Sequence, residues 1–222
     1  MSANVCVRQR RPEDTPQVIA IFHAIYPGSP SWTPEQLTSH LNVFPEGQLV
    51  AEAEGRIVGM AASLIVLRDD YPMETSWREF TDYGTFRNHD PDRGHTLYGA
   101  EIMVHPAWQG AGIGKLLYGA RRQLVARLGL LRIRAGARLA GYHRYADTLS
   151  PEDYVRRVVA GALSDPTLSF QLSRGFVVIG VARDYLRHDP ESHGHAAVIE
   201  WLNPAVATAE DYAARKAWAS SS

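Results

Sequence analysis

Cysteine is almost missing from this chain. Cys6 is the single one in 222 residues, so no intramolecular disulfide can form and a reducing cytoplasm is the expected setting. It stands between Val5 and Val7 in an apolar alternation that reads as strand packing, and it lies too early in the chain to serve as a nucleophile. Long hydrophobic runs are missing too. Nothing approaches the roughly 20 apolar residues of a membrane span, and Met1-Ser2-Ala3-Asn4 has no basic region leading into an apolar one. A soluble chain with no membrane partner and no targeting segment is expected. Charge of one sign is also absent. The 23 Lys and Arg balance 24 Asp and Glu, which offers a polyanion such as nucleic acid no general attraction. There is no internal repeat and no low-complexity linker. With 45% apolar residues, one well-filled domain is expected over residues 1–202, then a polar, alanine-rich tail over 203–222 with helical character.

What is present is an ordered series of elements. A short apolar run at 5–8 reads as a strand, ended by the Pro12 to Pro16 cluster, which starts a helix carrying Val18, Ile19, Phe22, Ile25 and Tyr26 on one face. Thr33, Pro34 and Gln36 form the capping-box signature of a second helix. Strands at 48–53 and 56–66 flank a tight Glu54-Gly55 turn and should pair as a hairpin. Residues 68–95 read as a long ordered loop or short helical turns, because Trp77, Phe80, Tyr83 and Phe86 argue against disorder. A strand at 97–104, a helix at 113–128 and a strand at 131–137 follow as a crossover unit. In that helix Ile113, Leu116, Leu117, Leu124 and Leu128 are expected on the buried face, with Lys115, Arg121, Arg122 and Arg127 largely elsewhere. Gly129 caps it. Ser150-Pro151 and Asp165-Pro166 start two more helices, and strands at 177–185 and 196–201 close the domain as an antiparallel pair.

The chemically informative stretch is Val104-His105-Pro106-Ala107-Trp108-Gln109-Gly110-Ala111-Gly112-Ile113-Gly114-Lys115. A strand here enters a glycine-rich turn and then an amphipathic helix, which leaves main-chain N–H groups free to bind an anion. A P-loop is excluded, since Gln109 stands where its first glycine should be and Leu116 replaces its hydroxyl residue. A dinucleotide fingerprint fails at Lys115, where a small residue is needed. Trp108 reads as packing against the turn.

Gln109, Gly112 and Gly114 match Q/R-x-x-G-x-G/A, and with this order of elements the chain resembles the GNAT superfamily of acyltransferases over most of residues 5–201. The resemblance implies an α/β (α+β) fold, a mixed, mostly antiparallel twisted sheet of about six or seven strands with helices on both faces. More narrowly, the stretches 97–101, 135–143 and 165–172 are similar to GNAT domains fused to nitrilase-type carbon–nitrogen hydrolases. That likeness implies a free-standing relative of such domains. It leaves room for a separate nitrilase-like hydrolase, or a second copy of the chain in a homodimer, as partner.

The activity implied is N-acetyl transfer from acetyl-CoA to a primary amine by direct attack, with no acyl-enzyme and no metal. By resemblance, the main chain of Ile102, Met103 and Val104 lines the pantetheine arm, with Val104 N–H near the thioester oxygen. The amides of Gly110, Ala111, Gly112, Ile113, Gly114 and Lys115, behind Gln109, take the pyrophosphate. Glu101 is the candidate base, directly or through water, as the one carboxylate in an otherwise apolar strand, where its pKa should rise; the alternative is an outward carboxylate or an arginine pair. Tyr98, three positions earlier, lies near where some family members keep a catalytic residue. Gln171 occupies the position of the family's acid tyrosine, four residues before Gly175-Phe176. Tyr142 and His143 are the candidate substitutes. The acceptor, a small-molecule or peptide amine, would meet residues 29–41 and the loop 68–95, whose acids and rings could bind a cation, although a solvated loop of mixed charge is the favoured reading of them. A non-catalytic acyl-CoA sensor or regulatory partner of a hydrolase is the alternative function, and the acyl chain need not be acetyl.

Overall fold

Apolar runs, alternating in β6 at the sheet edge and near-continuous in the central strands, build seven strands in the computed structural model, which describes residues 4–28, 31–67, 71–187 and 189–215. Residues 29, 30 and 68–70 of the expected acceptor-side segments, and the tail from 216, lie outside them. The strands are β1 (Val5–Gln9), β2 (Gln48–Ala53), β3 (Arg56–Val66), β4 (Thr96–Val104), β5 (Arg132–Arg138), β6 (Val177–Ala182) and β7 (Ala196–Leu202). They form one sheet in the order β1-β2-β3-β4-β5-β7-β6. Only the β4–β5 pairing is parallel. One face carries α1 (Thr15–Ile25), α2 (Pro34–Val43) and the single turn α3 (Trp77–Phe80); the other carries α4 (Ile113–Arg127), α5 (Pro151–Val159) and α6 (Leu168–Ser173). This is the expected mixed, mostly antiparallel architecture. No described helix is long and apolar enough to cross a membrane.

Local chemistry sets the element ends. Thr33 Oγ1 accepts from Gln36 N–H at 3.2 Å while Gln36 Oε1 accepts from Thr33 N–H at 2.9 Å, the expected capping box. Ser150 Oγ accepts from Asp153 N–H at 3.1 Å, and Asp165 Oδ1 accepts from Thr167 and Leu168 N–H, both at 2.9 Å, ahead of α6. Glu54 and Gly55 both take positive φ in the β2–β3 hairpin. The strand expected over 177–185 stops at Ala182, because Asp184 turns the chain with φ 55°. A short helix, α7 (Ala209–Ala214), forms in the described part of the tail.

The burial expected for α4 needs correction. Leu116 and Leu128 are 44% and 42% exposed, whereas Arg121, read as part of the polar face, is 1% exposed. The sheet side of α4 is Ile113, Leu117, Tyr118, Arg121, Leu124 and Val125, a stripe at helical spacing that runs through Arg121.

Arg121 is buried because the sheet needs it. The β3–β4 register shifts where Ala62 pairs with Glu101 but Ser63 pairs with Gly99, so Ala100 is an extra residue in β4, a β-bulge. From the α4 side, Arg121 Nε donates to Ser63 Oγ at 3.0 Å, and Nη2 donates to the Ala62 carbonyl at 2.7 Å and to the Glu101 carbonyl. From the opposite side, Trp77 Nε1 donates to the Ala100 carbonyl at 2.8 Å. Trp77 N–H in turn holds the Tyr185 carbonyl at 3.0 Å, tying the loop before β4 to the β6–β7 connection. The bulge is thus gripped from both faces.

The rest of that loop is anchored by stacking. His40 lies on Phe86 with ring centroids 3.7 Å apart, and its Nε2–H donates to the Gly84 carbonyl at 2.7 Å. Burial pushes the His40 pKa down to about 4. The folded protein therefore resists a proton that the unfolded chain accepts near pH 6.5, and stability is lost as pH falls toward 4. Unfolding free energy should drop by about 2 kcal/mol from this group between pH 7 and pH 5. Urea midpoints at the two pH values measure it; an equal drop in His40→Gln would contradict this assignment. Arg121→Met leaves the bulge carbonyls unpaired and should cost about 3 kcal/mol or more, lowering the melting temperature by roughly 6–12 °C. An unchanged melting curve would show that the clamp contributes little.

Candidate functional site

β4 and β5 lie side by side only where Thr96–Tyr98 meet Arg132–Arg134. Beyond that point β4 stays on β3 and β5 stays on β7, so the sheet splits and β4 presents an open edge. His105 N–H still bonds the Val58 carbonyl of β3 at 2.9 Å. By alternation Met103 also faces β3, whereas the N–H groups of Ile102 and Val104 face the split. The Val104 carbonyl on this edge accepts from Gln109 Nε2 at 3.4 Å.

The bulge decides which way Glu101 points. Tyr98, Ala100 and Met103 belong to the cluster beneath α1 and α2, and Ile102 packs with the clusters beneath α4. The three-residue step from Ala100 to Met103 breaks strict alternation and puts Glu101 on the α1 side. Its Oε1 accepts from Ile102 N–H at 3.0 Å. Burial raises its pKa to about 7, outweighing the opposing pull of that N–H and of the Arg121 and Arg138 cations. Tyr26 at the end of α1 feels the same carboxylate, which, with burial, pushes its phenol pKa up. Arg138, at the end of β5, places its guanidinium 5.5 Å from the Tyr26 ring centroid and pairs with Asp189 at 2.7 Å and with Glu191.

At the other end of the open edge lies the glycine turn. Gly110 and Gly112 have φ of 81° and 80°, and a Cβ on either would meet nothing within 4 Å. Gly112 is the N-cap of α4 without a side-chain cap. The turn's own backbone bonds are Ala111 N–H to the Trp108 carbonyl at 3.4 Å and Leu116 N–H to the Gly112 carbonyl at 3.2 Å. Among the described residues the N–H groups of Gly110, Gly112, Ile113, Gly114 and Lys115 have no protein acceptor. Ile113 buries its side chain beneath them and Lys115 is exposed. Gly114 has a second reason to be glycine, since a Cβ there would stand 2.8 Å from Phe170 Cζ on α6.

Three other sequence candidates do not join this group. Tyr98 is 1% exposed, its hydroxyl meets that of Tyr185, and burial drives its pKa well up, so it acts as packing behind the bulge. Tyr142 donates to the Leu149 carbonyl at 2.9 Å and packs its ring against Tyr154, His193 and His195. His143 is exposed, and its backbone N–H donates to the Glu191 carbonyl at 2.9 Å. The 3₁₀ turn Tyr142–Arg144 sets Tyr142 against Tyr154 of α5 and leaves His143 beside Glu191, the partner of Arg138. Arg121, Trp77, Tyr26 and Arg138 went unread as site residues. Glycines inside strands were the available signal: a Cβ on Gly99 would lie 3.1 Å from Arg121 Nη1, and one on Gly136 would fall on the Tyr185 ring. Among the described residues no group of three or more His, Cys, Asp or Glu is placed to hold a metal ion.

Comparison with known proteins agrees with this geometry. The family model described as "Acetyltransferase (GNAT) family" matches residues 15–147. "Uncharacterized N-acetyltransferase YkwB" of Bacillus subtilis is 38% identical over 182 residues, covering 82% of this chain and 80% of that protein. "Probable hydrolase YhcX" of the same organism is 40% identical over 197 residues, 89% of this chain; the chain spans only 38% of that relative's length. Among solved structures, the GphF GNAT-like decarboxylase in complex with isobutyryl-CoA superposes with a TM-score of 0.78 at 25% identity, over 89% of this chain and 99% of that one. A bulged strand open along one edge, a glycine turn of free amides and these matches together place the chain in the GNAT acetyltransferase family.

Proposed function

We propose that the chain transfers an acetyl group from acetyl-CoA to a primary amine by direct attack, without an acyl-enzyme. The observation that carries this reading is that one split in the sheet is bordered by a turn of unpaired amides, an open strand edge and a carboxylic acid whose pKa lies near 7. The residues present suit coenzyme A. The amides of residues 110–115 and the positive end of α4 match a diphosphate, and the space above Gly110 and Gly112 lets it approach the backbone. The open edge of β4, with the Ile102 N–H once Glu101 releases it, suits an extended arm with its own amides as an added strand. When bound, the thioester supplies the activated acyl carbonyl.

The chain's residues then divide the work. The Val104 N–H is the donor for the acyl oxygen. Glu101 takes the proton from the attacking nitrogen, and a pKa near 7 leaves it about half ionised at neutral pH and basic enough to accept. Tyr26, Arg138, Asp189 and Glu191 line the side from which the amine enters. Release of free CoA from acetyl-CoA over a panel of amines tests the activity. Thioester binding with no release over any amine would instead favour the sensor alternative.

A second reading is favoured by one observation, the likeness to a decarboxylase at a TM-score of 0.78. In that reading an acyl-CoA bearing a carboxylate beta to its carbonyl would lose carbon dioxide with no amine present. Carbon dioxide release from malonyl-CoA alone, against amide formation from acetyl-CoA, separates the two.

Two outcomes are expected of variants. Glu101 must be ionised to act, so kcat should rise with pH through about 7. Glu101→Gln should remove that limb and lower kcat by roughly 10²–10⁴-fold; a retained limb would move the base elsewhere. Gly112→Glu should abolish acetyl-CoA binding by calorimetry while keeping the circular dichroism spectrum, since its charge stands at the diphosphate position and the strain of a side chain at φ 80° is confined to the turn; Gly112→Ala, which carries that strain without the charge, should bind more tightly than Gly112→Glu. Unchanged affinity would overturn the cradle.

A further inference from the structure

The position read as the family's acid tyrosine is Gln171, and the structure shows what it holds. Gln171 is 4% exposed, and its Nε2 donates to Tyr118 Oη at 3.0 Å. Its Oε1 is buried and has no partner. Tyr118 is 2% exposed, and this bond from Gln171 is the one hydrogen bond its hydroxyl makes among the described residues. The Tyr118 oxygen already accepts, so its own O–H remains to be given. A fully buried pair thus keeps one free donor and one free acceptor, which native cores seldom leave unspent.

The place of this pair gives the spare donor a use. Tyr118 lies roughly 7.5 Å along α4 from Ile113 at the usual rise per residue. It is one turn before Arg121, whose guanidinium carbon is 5.8 Å from the Tyr118 ring and whose Nη2 grips the Glu101 carbonyl. Along α4, Tyr118 therefore lies between the amide cradle and the arginine that holds the bulge. Phe170 and Phe176 hold the ring, with centroids 6.0 and 5.2 Å away.

We propose that Tyr118 donates its phenolic hydrogen bond to the sulfur of the bound acyl-CoA, with Gln171 as the positioning residue that orients it. The proposal rests on the acyl-CoA reading above. The C–S bond breaks as the C–N bond forms, the electron pair stays on sulfur, and the proton lost by nitrogen leaves through Glu101. The thiolate departs under the Tyr118 hydrogen bond and takes its proton from solvent. Tyr118 is a donor here and not an acid. Burial raises its pKa above the ordinary tyrosine value of about 10, and a thiol titrates near 8.5, so full transfer would run uphill. A hydrogen bond to a developing charge in a dry site needs no transfer.

The test reads the thiol directly. The ultraviolet thiolate absorbance of CoA bound to the full chain is titrated with pH. A donor on the sulfur should hold the bound thiol's pKa about one unit lower in the native chain than in Tyr118→Phe. Gln171→Leu, which keeps the phenol but loses its orientation, should give a smaller shift in the same direction. It decides the matter alone if Tyr118→Phe does not fold. Acetyl transfer by Tyr118→Phe should fall on the order of 10- to 100-fold in kcat with little change in KM. Superimposable thiol titrations in the native chain and the folded variants would overturn the proposal while leaving the acyl-CoA reading intact. Failure of the native chain to bind CoA at all would instead sink that reading, and this proposal with it.

Discussion

The grip of Arg121 on the β4 bulge is the constraint from which the rest of the site follows. An extra residue in a strand frees carbonyls that a regular ladder would pair, and a buried unpaired carbonyl is costly. Arg121 reaches across from α4 to the Ala62 and Glu101 carbonyls and the Ser63 hydroxyl, while Trp77 takes the Ala100 carbonyl from the other face. With those groups satisfied, the bulge persists, β4 parts from β5, and Glu101 turns to the α1 side. Gly99 serves the same end by giving the guanidinium room that a Cβ would take.

The electrostatics of the split depend on this arrangement. Glu101 has two cations in range, Arg121 and Arg138, and would be held low if they dominated. Burial wins instead, and its pKa stands near 7. Part of the reason is that both guanidiniums are engaged elsewhere: Arg121 faces carbonyls, and Arg138 is paired with Asp189 and Glu191. A carboxyl tuned in this way accepts from one backbone donor of the opened strand, Ile102 N–H, beside a second, Val104 N–H, that the strand does not use internally.

Much of this was legible in the residues. Thr33 and Gln36 announced a capping box, Glu54-Gly55 a hairpin, and the turn from Gln109 to Lys115 a helix start with spare amides; each is a local rule with a local cause. Glu101 stood out as a lone carboxylate in an apolar strand. What could not be read depends on the register between distant strands. Arg121 looks polar on α4 until the bulge beneath it is known, and Tyr26 and Arg138 meet only because α1 and the end of β5 share the mouth of the split. Tyr98, Tyr142 and His143 have plausible chemistry by position, but folding spends Tyr98 and Tyr142 on Tyr185 and Leu149 and leaves His143 exposed on the Glu191 carbonyl.

The central claim is that the open edge of β4 and the glycine turn together receive one acyl-CoA molecule. Amide hydrogen exchange with and without acetyl-CoA tests it most directly. The account predicts protection at Ile102 and Val104 and across residues 110–115, with the β1–β2 ladder unchanged. Protection confined to another surface, or none at saturating acetyl-CoA, would contradict it.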